Sequence, residues 1–260
     1  MVVAASIRNQ RSGDGFALLK RDNTARASIG VAIDESALAG REVISRQGAN
    51  WLFEPSLSGE PRYTARELSP ATWPDFERLF SKHGGVGGCW CMYYQRPHGG
   101  TMKGLTPSER AANNKRDKKL LVDGNRSHGV LLYDRGNPIG WCAYGLKQEF
   151  PRIDNGRNYK RLDIEKNPEK LWRITCFFVD RDYRKKGVAK VALNAALDSI
   201  RAKGGGVIEA YPVTHKSARA WSKWSNWFWF GTESMFVREK FKVVGRMGPH
   251  HLLMRRTIKP

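Results

Sequence analysis

The sequence predicts an α/β fold built on a mixed sheet, and three observations carry that prediction. Residues 171–180, LWRITCFFVD, are a nearly unbroken apolar, β-branched and aromatic run, the mark of a strand buried on both faces. Val188, Val191, Ala192, Ala195, Ala196 and Ile200 then recur at three- and four-residue steps, as in a helix packed on a sheet. Two apolar runs around DRGNP, within residues 127–146, read as an antiparallel hairpin.

The other elements follow in order. Residues 1–60 show little periodicity and read as an N-terminal extension, with a weak helical stretch over 34–47; the domain proper spans 61–260. RYTAREL (62–68) alternates as a strand does. Residues 69–85 form a helix with Ser69 as its cap and Gly84–Gly85 as its stop. A second helix covers 106–124, capped by Thr106 or Ser108 and ended by Gly124. After the hairpin, residues 147–170 are polar and rich in turn formers, so they read as a loop. Its length suits a functional segment. The helix that begins at Val188 stops at AKGGG, and VIEAYPV (207–213) opens a new strand. A helix over 231–241 and strands over 242–248 and 250–258 complete the chain, with His250 and His251 as ordinary strand surface.

Composition narrows the class. No segment reaches the roughly 18 consecutive apolar residues of a membrane span, and the N-terminus lacks the apolar core of a secretory signal. Four cysteines in 260 residues do not make a disulfide scaffold, which fits a reducing compartment. A soluble cytoplasmic chain without a membrane partner is therefore expected. The formal charge of +20 attracts polyanions, but the cations are spread along the chain, so charge alone names no partner.

One stretch places cations where a helix prefers anions. DYRKKGVAKVAL (182–193) sets Arg184, Lys185 and Lys186 directly before Gly187 at a helix start. The first amides of a helix have no partners within it, and glycine lets an anion approach the backbone there. Flanking cations suit a phosphate at that point. The pattern is neither a Walker loop, which needs G-x-x-x-x-G-K-[ST], nor a dinucleotide fingerprint, which needs three glycines.

FFVDRDYRKKGVAKVAL resembles the acetyl-CoA-binding core of the GNAT acetyltransferase superfamily, whose signature [QR]-x-x-G-x-[GA] is met by Arg184 to Ala189, with Val179 closing the strand before it. GWCAY, EAYPV and GTESMFVREKF are similar to an uncharacterised branch of that superfamily, and the order of elements over 62–258 agrees. The resemblance implies a mixed sheet flanked by helices and splayed at the strand pair that takes acetyl-CoA. It implies that the backbone of Phe177, Phe178 and Val179 holds the pantetheine arm and acetyl carbonyl. The turn amides of Lys185, Lys186, Gly187, Val188, Ala189 and Lys190 would then wrap the pyrophosphate, with Arg184 opening the turn. Acetyl-CoA is the expected co-substrate, with no metal.

The catalytic residues diverge from the family pattern. Many members carry a tyrosine acid at the position of Phe236, which has no proton to give, so that role passes to Ser234, Thr232, Tyr211, water or no group at all. Many also use a carboxylate on the strand after the cofactor helix. Counting from Gly187 places Tyr211 at that position; Glu209, two residues earlier on the same strand face, is the candidate base, its pKa raised by burial in an apolar strand, or else a structural glutamate paired with one of the many arginines.

GGCWCMYY (87–94) lies in the segment that, in this fold, borders the acceptor pocket. Trp90, Tyr93 and Tyr94 are its expected aromatic wall, with Trp141 and Tyr144 as weaker candidates. Cys89 and Cys91 are spaced C-x-C, and with His83 and His98 nearby they make a poor zinc pattern. WSKWSNWFWF (221–230) interleaves aromatics with polar residues as a nucleic-acid stacking platform does, but packing over the cofactor edge is favoured. The expected activity is acetyl transfer to a primary amine, on a small molecule or a peptide, through a direct ternary complex. The alternative is a catalytically degenerate, basic binding module for RNA or ribosomes; nucleic acid is not the favoured partner, and oligomeric state is not legible.

Overall fold

In the computed structural model the described residues are 43–47, 50–55, 61–82, 87–97, 104–220 and 229–260. Among them nine strands join one sheet in the order β1-β2-β3-β4-β5-β6-β7-β9-β8. These are β1 Val43–Gln47, β2 Asn50–Pro55, β3 Pro61–Glu67, β4 Gly129–Asp134, β5 Asn137–Leu146, β6 Leu171–Val179, β7 Gly206–Ala210, β8 Lys242–Arg246 and β9 Leu252–Ile258. Neighbours pair antiparallel except β6 and β7, which run parallel on either side of the crossover helix α5, Val188–Ala202. The predicted mixed α/β sheet is therefore present.

Helix α5 lies on one face, where Val191, Leu193, Ala196 and Ile200 are buried with Leu132, Ile174, Phe177 and Ile208. Helices α1 (Trp73–Ser81) and α2 (Pro107–Asp123) are associated with a second apolar cluster, in which Phe76, Phe80, Trp90, Leu131, Val122 and Trp141 are buried together. Thr106 resolves the α2 cap: its hydroxyl accepts from the Glu109 amide while Glu109 Oε2 accepts from the Thr106 amide at 2.7 Å. Helix α1 starts later than its sequence suggests. Thr72 is its cap, and Ser69 and Thr72 exchange backbone-to-hydroxyl bonds that form the turn before it. The β4–β5 hairpin turns on Arg135 and Gly136, both at positive φ, as a tight two-residue turn requires.

Three segments differ from the sequence reading. Residues 43–47 of the weak helical stretch are strand β1, while 34–42 lie outside the described residues. Strands β1 and β2, within the stretch read as an extension, pair onward to β3. Short strands owe their existence to a partner, and no local periodicity reveals that. The 147–170 loop contains a 3-10 turn and two short helices, α3 Pro151–Asn155 and α4 Arg157–Lys160. Its Phe150, Ile153 and Tyr159 are buried with Tyr211 and Leu253 in a third cluster. Helix α6, His215–Ala220, and helix α7, Glu233–Arg238, lie beyond β7. Among the described residues no helix is long and apolar enough to cross a membrane.

Candidate active site

The site is set by where β6 and β7 stop pairing. Their register runs from Leu171–Val207 to Ile174–Ala210, after which β6 continues to Val179 paired with β5 only. The backbone of Phe177 turns to the open side. Its amide donates to the Trp229 carbonyl at 2.6 Å, and the chain from Trp229 continues to Thr232, which bridges Val213. Alternation turns the Phe178 backbone toward its β5 partner Trp141, and the Phe178 ring packs on Phe80, 5.1 Å away. Of the three strand-end residues, Phe177 and Val179 therefore face the gap and Phe178 does not. The Val179 carbonyl accepts from Arg184 Nε at 3.3 Å, so this arginine ties the turn to the strand.

Gly187 is the N-cap of α5, at φ +80°, with no side-chain cap on the helix. A Cβ built there would meet nothing within 4 Å, so the space above the first turn is open. Lys190 and Val191 already bond back to the Gly187 carbonyl, which leaves the amides of Val188 and Ala189 as the uncapped donors. Lys185, Lys186 and Lys190 surround this end, with Lys186 Nζ over the Tyr183 ring. An oxyanion group such as a diphosphate fits this arrangement: open backbone donors, a positive dipole end, room for oxygens and cations around it.

Glu209 does not sit in the apolar setting its strand suggests. It is fully buried, but Oε1 accepts from Arg255 at 2.7 Å and Oε2 from Arg173 at 3.2 Å. Tyr211 donates to Oε2 at 2.7 Å, and Tyr159 donates to Oε1 at 3.0 Å. Asp154 of α3 holds the far side of the Arg173 guanidinium at 2.8 and 2.9 Å. Two cations and two phenols thus occupy both oxygens of the carboxylate. Burial pushes the Tyr211 phenol well above its ordinary pKa, and its proton is bonded to Glu209. Ser234 is exposed in the first turn of α7 and bonds to Thr232 at 3.2 Å. Phe236 is fully buried against Phe177 and Phe241.

The expected aromatic wall divides. Tyr93 and Tyr94 meet edge to face at 4.9 Å, and Tyr94 reaches Phe230 at 5.8 Å and Tyr211 at 6.4 Å. Trp90 and Trp141 belong instead to the core behind it. Trp90 stacks on Phe80 at 6.0 Å, and Trp141 is fully buried with its ring edge-on to Phe76. Tyr144 is likewise buried, in the cluster under α5. Cys91 accepts from Trp141 Nε1 at 3.3 Å and from the Cys176 thiol. That thiol and the buried Lys118 hold Cys91 down to about 6 against the cost of burial. His83 and His98 lie outside the described residues, as do residues 221–228 of the tryptophan-rich segment.

His251, read from the sequence as ordinary strand surface, is half-buried beside the site. It bridges Val213 at the open end of β7, and its ring meets the Phe230 ring at 4.6 Å. Its Nδ1 lies 3.2 Å from the Tyr211 carbonyl, which can only accept, so Nδ1 carries the proton and Nε2 presents a lone pair. Burial lowers the His251 pKa, with His250 adding to the effect against the Tyr211 bond, and both favour the neutral ring. A histidine beside a Tyr-Pro-Val strand end is a signal in retrospect only, because the pairing that brings the two together spans 38 residues (251 − 213).

The family model for the acetyltransferase (GNAT) family matches residues 90–224. Solved structures of similar fold include a ribosomal-protein alanine acetyltransferase from Vibrio fischeri, 15% identical over 81% of this chain and 97% of that one, TM-score 0.41. An acetyltransferase of the GNAT family from Streptococcus pneumoniae is 12% identical over 75% and 99%, TM-score 0.41. A ribosomal-protein alanine N-acetyltransferase from Escherichia coli is 13% identical over 76% and 95%, TM-score 0.39. No curated protein matches the chain.

Proposed function

The chain belongs to the acetyltransferase (GNAT) family, the acyl-CoA-dependent N-acetyltransferases, and from that premise we propose that it passes the acetyl group of acetyl-CoA directly to a primary amine held in the same complex. The observation that carries this reading is the gap beyond Ile174 and Ala210, with the Phe177 amide inside it and the uncapped start of α5 below it. Acetyl-CoA would supply a thioester carbonyl for the amine to attack; as the C–N bond forms the C–S bond breaks, and CoA leaves as the thiol with the proton the amine gives up. The chain's part is to hold, orient and deprotonate. The amides of Val188 and Ala189 and the cations from Arg184 to Lys190 take the diphosphate; Val179 and Phe177 line the arm. The Phe177 amide offers the acyl oxygen the bond it now gives to Trp229, so Trp229 yields on binding.

Glu209 positions Tyr211, Arg173 and Arg255 in this reading, because both its oxygens are engaged. His251 is the base: its neutral ring takes the amine proton at Nε2, directly or through water, while the Tyr211 carbonyl fixes the ring. His251→Asn keeps a donor toward that carbonyl and removes the base, so kcat/KM is expected to fall by about 10²-fold. The wild-type profile of kcat/KM should rise through an acid limb below the ordinary histidine pKa, since the group must be unprotonated to act and its pKa is lowered. The limb should vanish in His251→Asn. A variant with full turnover and an unchanged limb removes His251 from the mechanism. Intact mass after mixing with acetyl-CoA alone tests the direct route: an unmodified chain is expected, and an acetylated one contradicts it.

A further inference from the structure

Arg152 differs from the other arginines around the site. Arg173 is paired with Asp154 and Glu209, Arg255 with Glu209, and Arg96 with Asp117. Arg152 forms no ion pair among the described residues, because the acid of its own helix, Asp154, is committed to Arg173 and Lys147. Its guanidinium lies over the Tyr93 ring, 4.0 Å from the centroid, and Nη2 donates to the Tyr93 hydroxyl at 3.2 Å. The Arg152 amide donates to the Tyr94 carbonyl at 3.3 Å, which fixes α3 against the aromatic segment. Nη1 is cut off from solvent and has no acceptor among the described residues. A buried charged donor left unsatisfied costs more than a neutral one, so its setting favours an anionic partner.

The location says which molecule brings that partner. Tyr94 joins Arg152 to Phe230, and Phe230 follows Trp229, whose carbonyl covers the Phe177 amide. On the transferase reading the Tyr94–Phe230 segment borders the acceptor, and the guanidinium, packed on neighbouring Tyr93, falls on that side. Its side-chain contacts are to Tyr93, on a segment other than the α5 turn. Tyr93, 50% exposed, forms the outer cover. We propose that Arg152 binds a carboxylate of the acceptor through Nη1 as Tyr93 turns aside, so that the substrate is an amine with a carboxylate a few bonds away, such as an amino acid or an acidic peptide. The net charge of +20 favours the approach of such an anion and disfavours polyamines.

This inference rests on the transferase reading, and the experiment separates the two. Acetyl-CoA binding is first measured by calorimetry on wild type and Arg152→Gln; equal affinity is expected, and absence of binding to wild type defeats the transferase reading itself. Release of CoA thiol is then followed with matched pairs, L-alanine against L-alaninamide, L-tyrosine against L-tyrosinamide, and L-glutamate against its diamide, with spermidine as the cationic control. The amides have the less basic amines, so basicity alone would favour them. Wild type is expected to prefer the carboxylates by about tenfold or more in kcat/KM, the size of one charged hydrogen bond. Arg152→Gln should bring the ratio to near one through KM with kcat kept, and Arg152→Lys should recover part of it. Equal use of acids and amides by wild type, transfer to none of the carboxylate-bearing amines, or an unchanged preference in Arg152→Gln would overturn the inference.

Discussion

Glu209→Gln is expected to destabilise the fold by about 3–5 kcal/mol, the range for breaking a buried ion pair by removing one partner. Glu209 is fully buried and is the carboxylate that meets Arg255 at 2.7 Å and Arg173 at 3.2 Å. Glutamine keeps the shape and one acceptor oxygen, but its amide nitrogen would point donors at a guanidinium or a phenol. Arg173 retains Asp154, whereas Arg255 would keep the Glu165 carbonyl and no acid among the described residues. Urea or thermal unfolding of wild type and variant measures the difference. At temperatures where the variant is folded, turnover per folded molecule should stay within about threefold of wild type, well short of the loss of a general base. A stable Glu209→Gln with turnover down by about 10²-fold would reverse the assignment and make Glu209 the base.

Gly187→Asp is expected to weaken acetyl-CoA binding by more than about 100-fold while leaving the fold intact. Gly187 sits at φ +80°, and aspartate is among the residues that tolerate a left-handed backbone at modest cost. The open space beside the glycine accepts the new side chain without a clash. That same space is where a diphosphate must come to reach the amides of Val188 and Ala189, and the carboxylate would cap those amides itself. Calorimetry and the melting temperature read the two parts separately. Wild type should bind in the micromolar range, about −8 kcal/mol, and melt higher with ligand. An unfolded variant would refute the structural half, and an unchanged affinity would refute the diphosphate site.

The parts of this site that were legible in the sequence are local. The β6 run, the Arg184–Ala189 turn and the periodic face of α5 lie within about thirty residues, so composition and spacing define them. The groups proposed to handle the proton and the acceptor are not local. Arg152 and Tyr159 sit on helices of five and four residues, too short to show a period, within a stretch whose polar composition reads as loop. Glu209 stands in an apolar strand, yet its cations come from β6 and β9, brought there by strand order alone. His251 acquires its setting from a single bridge to Val213. Trp90 and Trp141 show the converse: an aromatic cluster in sequence spreads over a core layer and a pocket layer, and only packing decides which ring goes where.

The most direct test of the central claim is the amide of Phe177 itself. Of the 11 phenylalanines, a chain labelled with 15N-phenylalanine gives one backbone signal each, and Phe177→Leu identifies the one that matters. In the free protein that amide is bonded to the Trp229 carbonyl. Saturating acetyl-CoA should shift the Phe177 resonance strongly, with a smaller effect from CoA lacking the acetyl group, because the acyl carbonyl that replaces Trp229 in this account is missing from free CoA. A Phe177 resonance that does not move while acetyl-CoA binds would contradict the placement of the acyl group between β6 and β7.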